Sequence, residues 1–265
     1  MKTIFITGAS SGIGKACVDL FSSKGWNVAA AMRNPSRELN WPDSVLVLPL
    51  DVTNKDSMAP AVQKAEEKFG KIDVLLNNAA FGQVGAIESM SEKQMRNIFE
   101  TNVFGLMNLT AMILPKMRAR NDGLIINVSS VVGQITSPLS GYYCATKHAL
   151  ESISESLWHE LSETNVRIKV VEPGFTKTKF HPSNVRGEVK IPLYEGKIEK
   201  KIERMANYNN PTPAERVAEV IFKAATDRSR KLRYTIENHI RFQLFLHGIL
   251  PDFFFLSLIN RRYRR

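Results

Sequence analysis

Cysteine is scarce in this chain: Cys17 and Cys144 are the two it has, and its five histidines are scattered over 265 residues. That excludes a disulfide framework, and neither His239 nor His247 has neighbours that would complete a ligand set, so no metal is expected. A reducing, cytoplasmic setting is the expectation. A Pro/Gly/Ser-rich linker, a low-complexity run and an internal repeat are also missing, which argues for one domain over residues 1–265. The amino terminus enters an apolar strand directly, without the basic and long apolar regions of a secretory signal. In the apolar carboxyl-terminal segment no stretch approaches the roughly 18 residues that span a bilayer. Arg241, Gln243, His247, Pro251 and Asp252 interrupt it.

Charge of one sign is in excess, with 36 Lys and Arg against 26 Asp and Glu and a net charge of +10. The basic residues are spread along the chain, apart from Arg261, Arg262, Arg264 and Arg265. No helix-turn-helix, zinc-finger or RNA-binding signature accompanies them, so nucleic acid is not expected as a partner. An anionic cofactor or an anionic membrane surface remains compatible.

What is present is an alternation of two periodicities. Short apolar runs rich in β-branched residues recur at Thr3–Thr7, Asn27–Met32, Val45–Pro49, Asp73–Leu76, Leu124–Val128 and Arg167–Val171. Helical patterns fill the gaps at Ile13–Lys24, Lys55–Phe69, Ser91–Arg118 and Tyr143–Glu163. This order predicts an α/β fold: a single doubly wound parallel sheet of Rossmann type with helices on both faces, which binds ligands beyond the carboxyl ends of its strands. Residues 175–211 break the rhythm with charge, Gly and Pro, and read as an irregular substrate lid. A helix over Pro213–Thr226 and a last strand over Lys231–Ile236 then follow.

Between the first strand and the first helix lies Thr7-Gly8-Ala9-Ser10-Ser11-Gly12-Ile13-Gly14. Glycines there let the backbone approach a pyrophosphate whose charge the helix N-terminus stabilises. An acidic residue at the end of the second strand would favour NAD by binding its ribose hydroxyl, and this chain has none there. It has Ala31-Met32-Arg33-Asn34 instead, and Arg33 suits a 2′-phosphate, so the cofactor expected is NADP(H), with Lys15 as a second basic contributor. Asp51 and Val52, after the third strand, are placed for the adenine. Asn77-Asn78-Ala79-Ala80 follows the fourth.

Tyr143 and Lys147 are four residues apart, hence on one helix face, and Ser130 precedes them by thirteen residues. A phenol ionises near pH 10 and needs a neighbouring cation to exchange protons at neutral pH, which Lys147 would supply. Tyr142 has Thr146 at that spacing and is the poorer choice. Cys144 lies on another side of the helix turn and reads as a packing residue.

In this order the motifs resemble those of the short-chain dehydrogenases/reductases, over about residues 1–180. The family's Thr-Gly-x3-Gly-x-Gly pattern is complete, and its Asn-Asn-Ala-Gly segment stands as Asn77–Ala80 with Ala80 in place of Gly. The resemblance assigns Asn102, Ser130, Tyr143 and Lys147 as the catalytic set. It puts Gly8, Ser10, Ser11, Gly12, Ile13, Gly14, Arg33, Asp51, Val52, Asn78, Ala79 and Ala80 around the cofactor. Pro173 and Gly174 would lead a loop over the nicotinamide, with Thr176 nearby and Thr178 on the carboxamide. Tyr143 and Lys147 would also meet the ribose.

The implied reaction is NADPH-dependent reduction of a ketone or aldehyde, or the reverse oxidation of an alcohol. Tyr143 is the general acid, Ser130 orients the carbonyl, and Asn102 supports a water toward Lys147. A homodimer or homotetramer pairing the long helices is implied as well. A noncatalytic NADP-binding protein on the same fold is the alternative, although it would need no proton-transfer set.

The carboxyl-terminal extension, 238–265, is apolar and basic, with Phe253-Phe254-Phe255-Leu256 ahead of the terminal arginines. It suits a lipophilic substrate. Two readings are open: it packs over the substrate pocket or a subunit interface, or residues 253–265 rest on an anionic membrane surface.

Overall fold

The structure, a computed structural model, describes residues 1–35, 41–178, 180 and 185–264, the side chains of 262–264 left aside. Seven parallel strands form one sheet: β1 Thr3–Thr7, β2 Asn27–Met32, β3 Val45–Pro49, β4 Val74–Asn77, β5 Gly123–Val128, β6 Val166–Glu172 and β7 Arg233–Thr235. Their spatial order is 7-6-5-4-1-2-3, so the chain reverses direction between β1 and β4. Crevices for ligands arise at such a reversal.

Alternation within the strands feeds two apolar layers. Ile4 and Ile6 face a cluster with Val18 and Phe21 of α1 (Gly12–Ser23), while Phe5 faces a second one with Met58 of α2 (Lys55–Phe69). Every residue of β1 and β5 is buried, as a strand covered on both sides requires. Register aligns the carboxyl ends: Thr7 pairs with Ala31, Asn77 with Asn127, and Val128 with Val171. The glycine-rich turn, Arg33, Asp51, Asn78, Ser130 and Pro173 therefore all follow the carboxyl ends of strands.

Three helical expectations are corrected. Ser91–Arg118 is not one helix: α3 (Glu92–Phe99) passes into a π-turn over Glu100–Gly105 before α4 (Leu106–Ala119). Gly105 lets this turn approach the loop after β3, because a side chain there would overlap the Val52 carbonyl oxygen. The stretch Glu92–Ala119 is long and apolar enough to cross a membrane by composition, yet Leu106, Leu109, Ile113 and Met117 are buried in the core. Tyr143 and Lys147 lie on α5, Gly141–Glu160, which starts earlier and ends sooner than expected.

The lid is not irregular throughout, for it contains α6, Pro192–Ala206. Its inward positions are Tyr194, Ile198, Lys201, Ile202 and Met205, so a lysine interrupts the apolar stripe and hides the helical period. Residues 179 and 181–184 of the lid lie outside the described part. Helix α7 (Ala214–Thr226) then packs its Val217 and Ile221 into the core. Two helices close the chain, α8 (Asn238–Ile249) and α9 (Asp252–Arg264).

Candidate active site

The glycine-rich turn is held from below by Thr7. Its hydroxyl accepts the backbone N–H groups of Asn78 (2.9 Å) and Ala79 (3.0 Å), and the Asn78 amide donates to the Thr7 carbonyl (2.9 Å). Gly8 and Gly12 have φ of 68° and 55°, the left-handed region that glycine enters without strain. At Gly14 a Cβ would overlap the Gly8 carbonyl oxygen. The α1 N-terminus carries no acidic residue in its first turn, and the Ser11 side chain makes no capping bond. A close-approach backbone, an uncapped helix end and exposed Ser10 and Ser11 are what an anionic diphosphate needs. The residues present thus fit a dinucleotide cofactor.

Ala9 bonds the Ala31 carbonyl (3.1 Å), drawing the turn against the end of β2. Arg33 follows there, exposed. The Lys15 ammonium pairs with Asp19 at 2.6 Å, one turn farther along α1. The Asp51 carboxylate accepts the N–H (2.9 Å) and hydroxyl (2.8 Å) of Thr53, which closes the loop after β3 with Val52 buried behind it. Ala80 continues from Ala79, and the next residue, Phe81, bonds Asn102 through both backbone groups: its N–H donates to Oδ1 (3.0 Å) and its carbonyl accepts Nδ2 (2.9 Å).

Ser130, Tyr143 and Lys147 come together where β5 ends. The Ser130 hydroxyl lies near the Tyr143 phenol and donates to the Pro173 carbonyl at 3.3 Å. Lys147 donates to the Val128 carbonyl (2.8 Å) and sits 5.9 Å from the centre of the Tyr143 ring. Asn102 reaches the same helix through Thr146, 3.2 Å away, whose hydroxyl bonds the Tyr143 carbonyl.

Burial acts oppositely on the two titratable groups because it disfavours whichever form is charged. It pushes the Tyr143 phenol up, with the Ser130 hydrogen bond pulling it back and Cys144 adding a smaller upward push. It pushes Lys147 down to about 8, which Glu151 partly offsets. The expected lowering of the phenol by Lys147 is therefore not met: burial raises the phenol, and the Lys147 ammonium is bonded to the Val128 carbonyl. Cys144 is buried against Ser137, in keeping with a packing role.

Beyond β6, Pro173 is buried, and the Gly174 N–H donates to Glu237 (3.2 Å). A Cβ on Gly12 would touch Thr178, so the loop after Gly174 folds back over the glycine-rich turn. Thr176 is buried on the same loop, paired with Thr212. Phe180 meets the Tyr143 ring at 5.7 Å. Farther along, Lys201 of α6 donates to Ser137 (3.1 Å), to Ser140 (2.8 Å) and to the Pro138 carbonyl.

A cleft of about 330 Å³ opens between that loop and α9, lined by Ile87, Pro138, Leu139, Leu256, Ile259 and Asn260 among others. It borders the turn that leads into Tyr143. Neither this cleft nor a larger depression of about 530 Å³ around Glu203, Arg204 and Tyr208 is lined by an expected site residue. Sequence reasoning missed Thr7 as the hub of the turn, Phe180, and Lys201. For Lys201 the available signal was a lone cation on an otherwise apolar helix stripe. Among the described residues, no group of three His, Cys, Asp or Glu is placed to hold a metal ion.

Comparison with known proteins agrees with this geometry. Residues 2–188 match the family model described as short chain dehydrogenase. The chain is 40% identical over 235 residues to an uncharacterised oxidoreductase of Schizosaccharomyces pombe, covering 85% of this chain and 97% of the relative. It is 39% identical over 179 residues to a 3-ketodihydrosphingosine reductase of Bacteroides thetaiotaomicron, covering 68% and 65% respectively. A short-chain dehydrogenase/reductase of Burkholderia phymatum, solved in complex with NAD, superposes with a TM-score of 0.82 at 26% identity, covering 93% of this chain and 92% of that one.

Proposed function

The chain belongs to the short-chain dehydrogenase family of oxidoreductases, and from that premise we propose that it reduces a ketone or aldehyde on a lipophilic molecule with NADPH. The observation that carries the reading is the convergence of Ser130, Tyr143 and Lys147 at the carboxyl end of β5, with the turn into Tyr143 lining the neighbouring cleft through Gly141. Gly8, Ser10, Ser11, Gly12, Ile13 and Gly14 would hold the diphosphate, Arg33 the 2′-phosphate, Asp51 and Val52 the adenine end, and Pro173, Gly174, Thr176 and Thr178 the nicotinamide end. Bound there, the nicotinamide supplies the hydride.

The protein supplies the proton. Ser130 orients the carbonyl oxygen toward the phenol, and burial keeps Tyr143 protonated at neutral pH, the form a general acid needs. When Tyr143 gives its proton to the alkoxide, the resulting phenolate faces the Lys147 ammonium, which stabilises it across the 5.9 Å to the ring. The π-turn at Asn102 ties Phe81 to α5 and so fixes the distance between the turn after β4 and Tyr143. NADP rather than NAD is favoured by the exposed Arg33 and by the absence of a carboxylate in Ala31–Asn34. A lipophilic substrate is favoured by Ile87, Leu139, Leu256 and Ile259 in the cleft. The 3-ketodihydrosphingosine reductase among the relatives supports the same substrate class.

The test is a panel of lipophilic ketones and aldehydes assayed with NADPH and with NADH, using the intact chain and Tyr143→Phe. The intact chain should prefer NADPH. Tyr143→Phe should lose turnover by at least about a hundredfold while still binding NADPH, the range that removal of a general acid commands. Retained turnover in Tyr143→Phe would remove the proton-donor role, and preference for NADH would remove Arg33 from the cofactor site.

A further inference from the structure

Helices α8 and α9 are attached to the body by few side chains, Ile240 and Phe255 being their buried ones. The Phe255 ring packs on His247 at 4.7 Å, which joins the two helices to each other. On the outside they carry Phe242, Phe245, Ile249, Phe253, Phe254 and Leu258, each more than half exposed. Phe242, Phe245 and Ile249 stand at i, i+3 and i+7, which is a single stripe of α8. Elsewhere among the described residues, large exposed apolar side chains are scattered singly, as at Ile87, Phe104 and Leu193. Scattered ones need no explanation, but a contiguous aromatic patch marks an interaction surface.

The charge of the same segment of sequence selects the partner. Residues 238–265 contain five arginines, Arg241, Arg261, Arg262, Arg264 and Arg265, against one carboxylate, Asp252. A second copy of the chain docking isologously would bring the same basic segment toward itself, an arrangement like charges oppose. An anionic lipid surface complements it. With 12 and 13 residues, α8 and α9 are too short to span a bilayer and suited to lie in its interface.

We propose that the outer face of α8 and α9 docks the protein on an anionic lipid bilayer, aromatic side chains entering the headgroup boundary and arginines meeting the phosphates. Aromatic burial and a polybasic segment are the two signals that stable peripheral attachment takes. The face is continuous with the cleft, because Leu256 and Ile259 of α9 line it. A lipophilic carbonyl compound dissolved in the bilayer would therefore reach the cleft without crossing bulk water.

The experiment is vesicle sedimentation of the full chain with phosphatidylcholine alone and with phosphatidylcholine mixed with phosphatidylglycerol. It is read as bound protein, so its outcome does not depend on catalysis. The intact chain should pellet at least about tenfold more with the anionic vesicles, and raised salt should release it. Phe253→Ser with Phe254→Ser, and Arg261→Glu with Arg262→Glu, should each cut that binding severalfold, with folding checked by NADPH binding in the same samples. Absence of pelleting, or equal pelleting with neutral vesicles, overturns the proposal. So does light scattering that shows the phenylalanine variant falling from an oligomer to a monomer, which would assign the face to a second copy. Should a variant fail to fold, the intact chain on the two vesicle types still decides.

Discussion

Tyr143 and Lys147 are each moved by desolvation, the phenol up and the ammonium down to about 8. The consequence is a one-sided pH profile. At neutral pH the acid is loaded and its cationic partner is charged. As pH rises through about 8, Lys147 loses its proton, and the phenolate left after proton donation loses the charge that stabilises it. NADPH-dependent reduction should therefore fall on the alkaline side of about pH 8, as kcat measured from about pH 6 to about pH 10 would show. A flat profile across that range would separate Lys147 from the proton transfer. The residue identities were legible in the sequence because they come as a spaced motif. The direction of the phenol shift was not, since desolvation depends on what surrounds the ring.

At the scale of elements, the decisive pieces are the two that break periodicity. The π-turn at Glu100–Gly105 inserts where one long helix is expected, and it lets Asn102 bond both Phe81 and Thr146. In the lid, Lys201 anchors α6 to the loop ahead of Tyr143, and burial lowers it to about 8. That loop forms one wall of the cleft, so Lys201→Met should loosen the lid over the substrate and leave the cofactor turn alone. We expect the KM for the carbonyl substrate to rise about tenfold, equivalent to one or two hydrogen bonds, with NADPH affinity unchanged. An unchanged KM would mean that α6 is held by its Arg186–Glu199 ion pair and apolar side instead. Strand boundaries were legible to within a residue or so because strands buried on both faces are nearly continuous apolar runs. Helix α6 was obscured because it covers a polar loop and presents a lysine to it.

For the whole molecule, buried charge makes stability depend on pH in a definite direction. Lys147, Lys169 and Lys201 are each lowered to about 8 from 10.5, burial being the main cause. Above about 8 the unfolded chain binds more protons at these positions than the folded one, so stability rises with pH there. Glu172 is raised to about 7 from 4.5 by burial and by Glu151, so between those values the folded chain binds the extra proton and stability falls as pH rises. The thermal midpoint should thus pass through a minimum near pH 7 to 8 and recover toward about pH 9, beyond which the buried thiols Cys17 and Cys144, both pushed up, oppose the gain. A differential scanning series across these pH values checks it, and a steady rise from about pH 5 to about pH 9 would contradict the role of Glu172. The sequence by itself determined the sheet, its doubly wound class and the glycine-rich turn, because period and spacing are local properties that hydrophobic burial reads directly, and its family motif supplied the four residues proposed as catalytic. Only the tertiary structure decided how far burial shifts Tyr143, what Lys201 holds, and that α9 lines the cleft while its aromatic face stays outside. Those depend on which distant segments meet, and no local pattern encodes the partner across the fold.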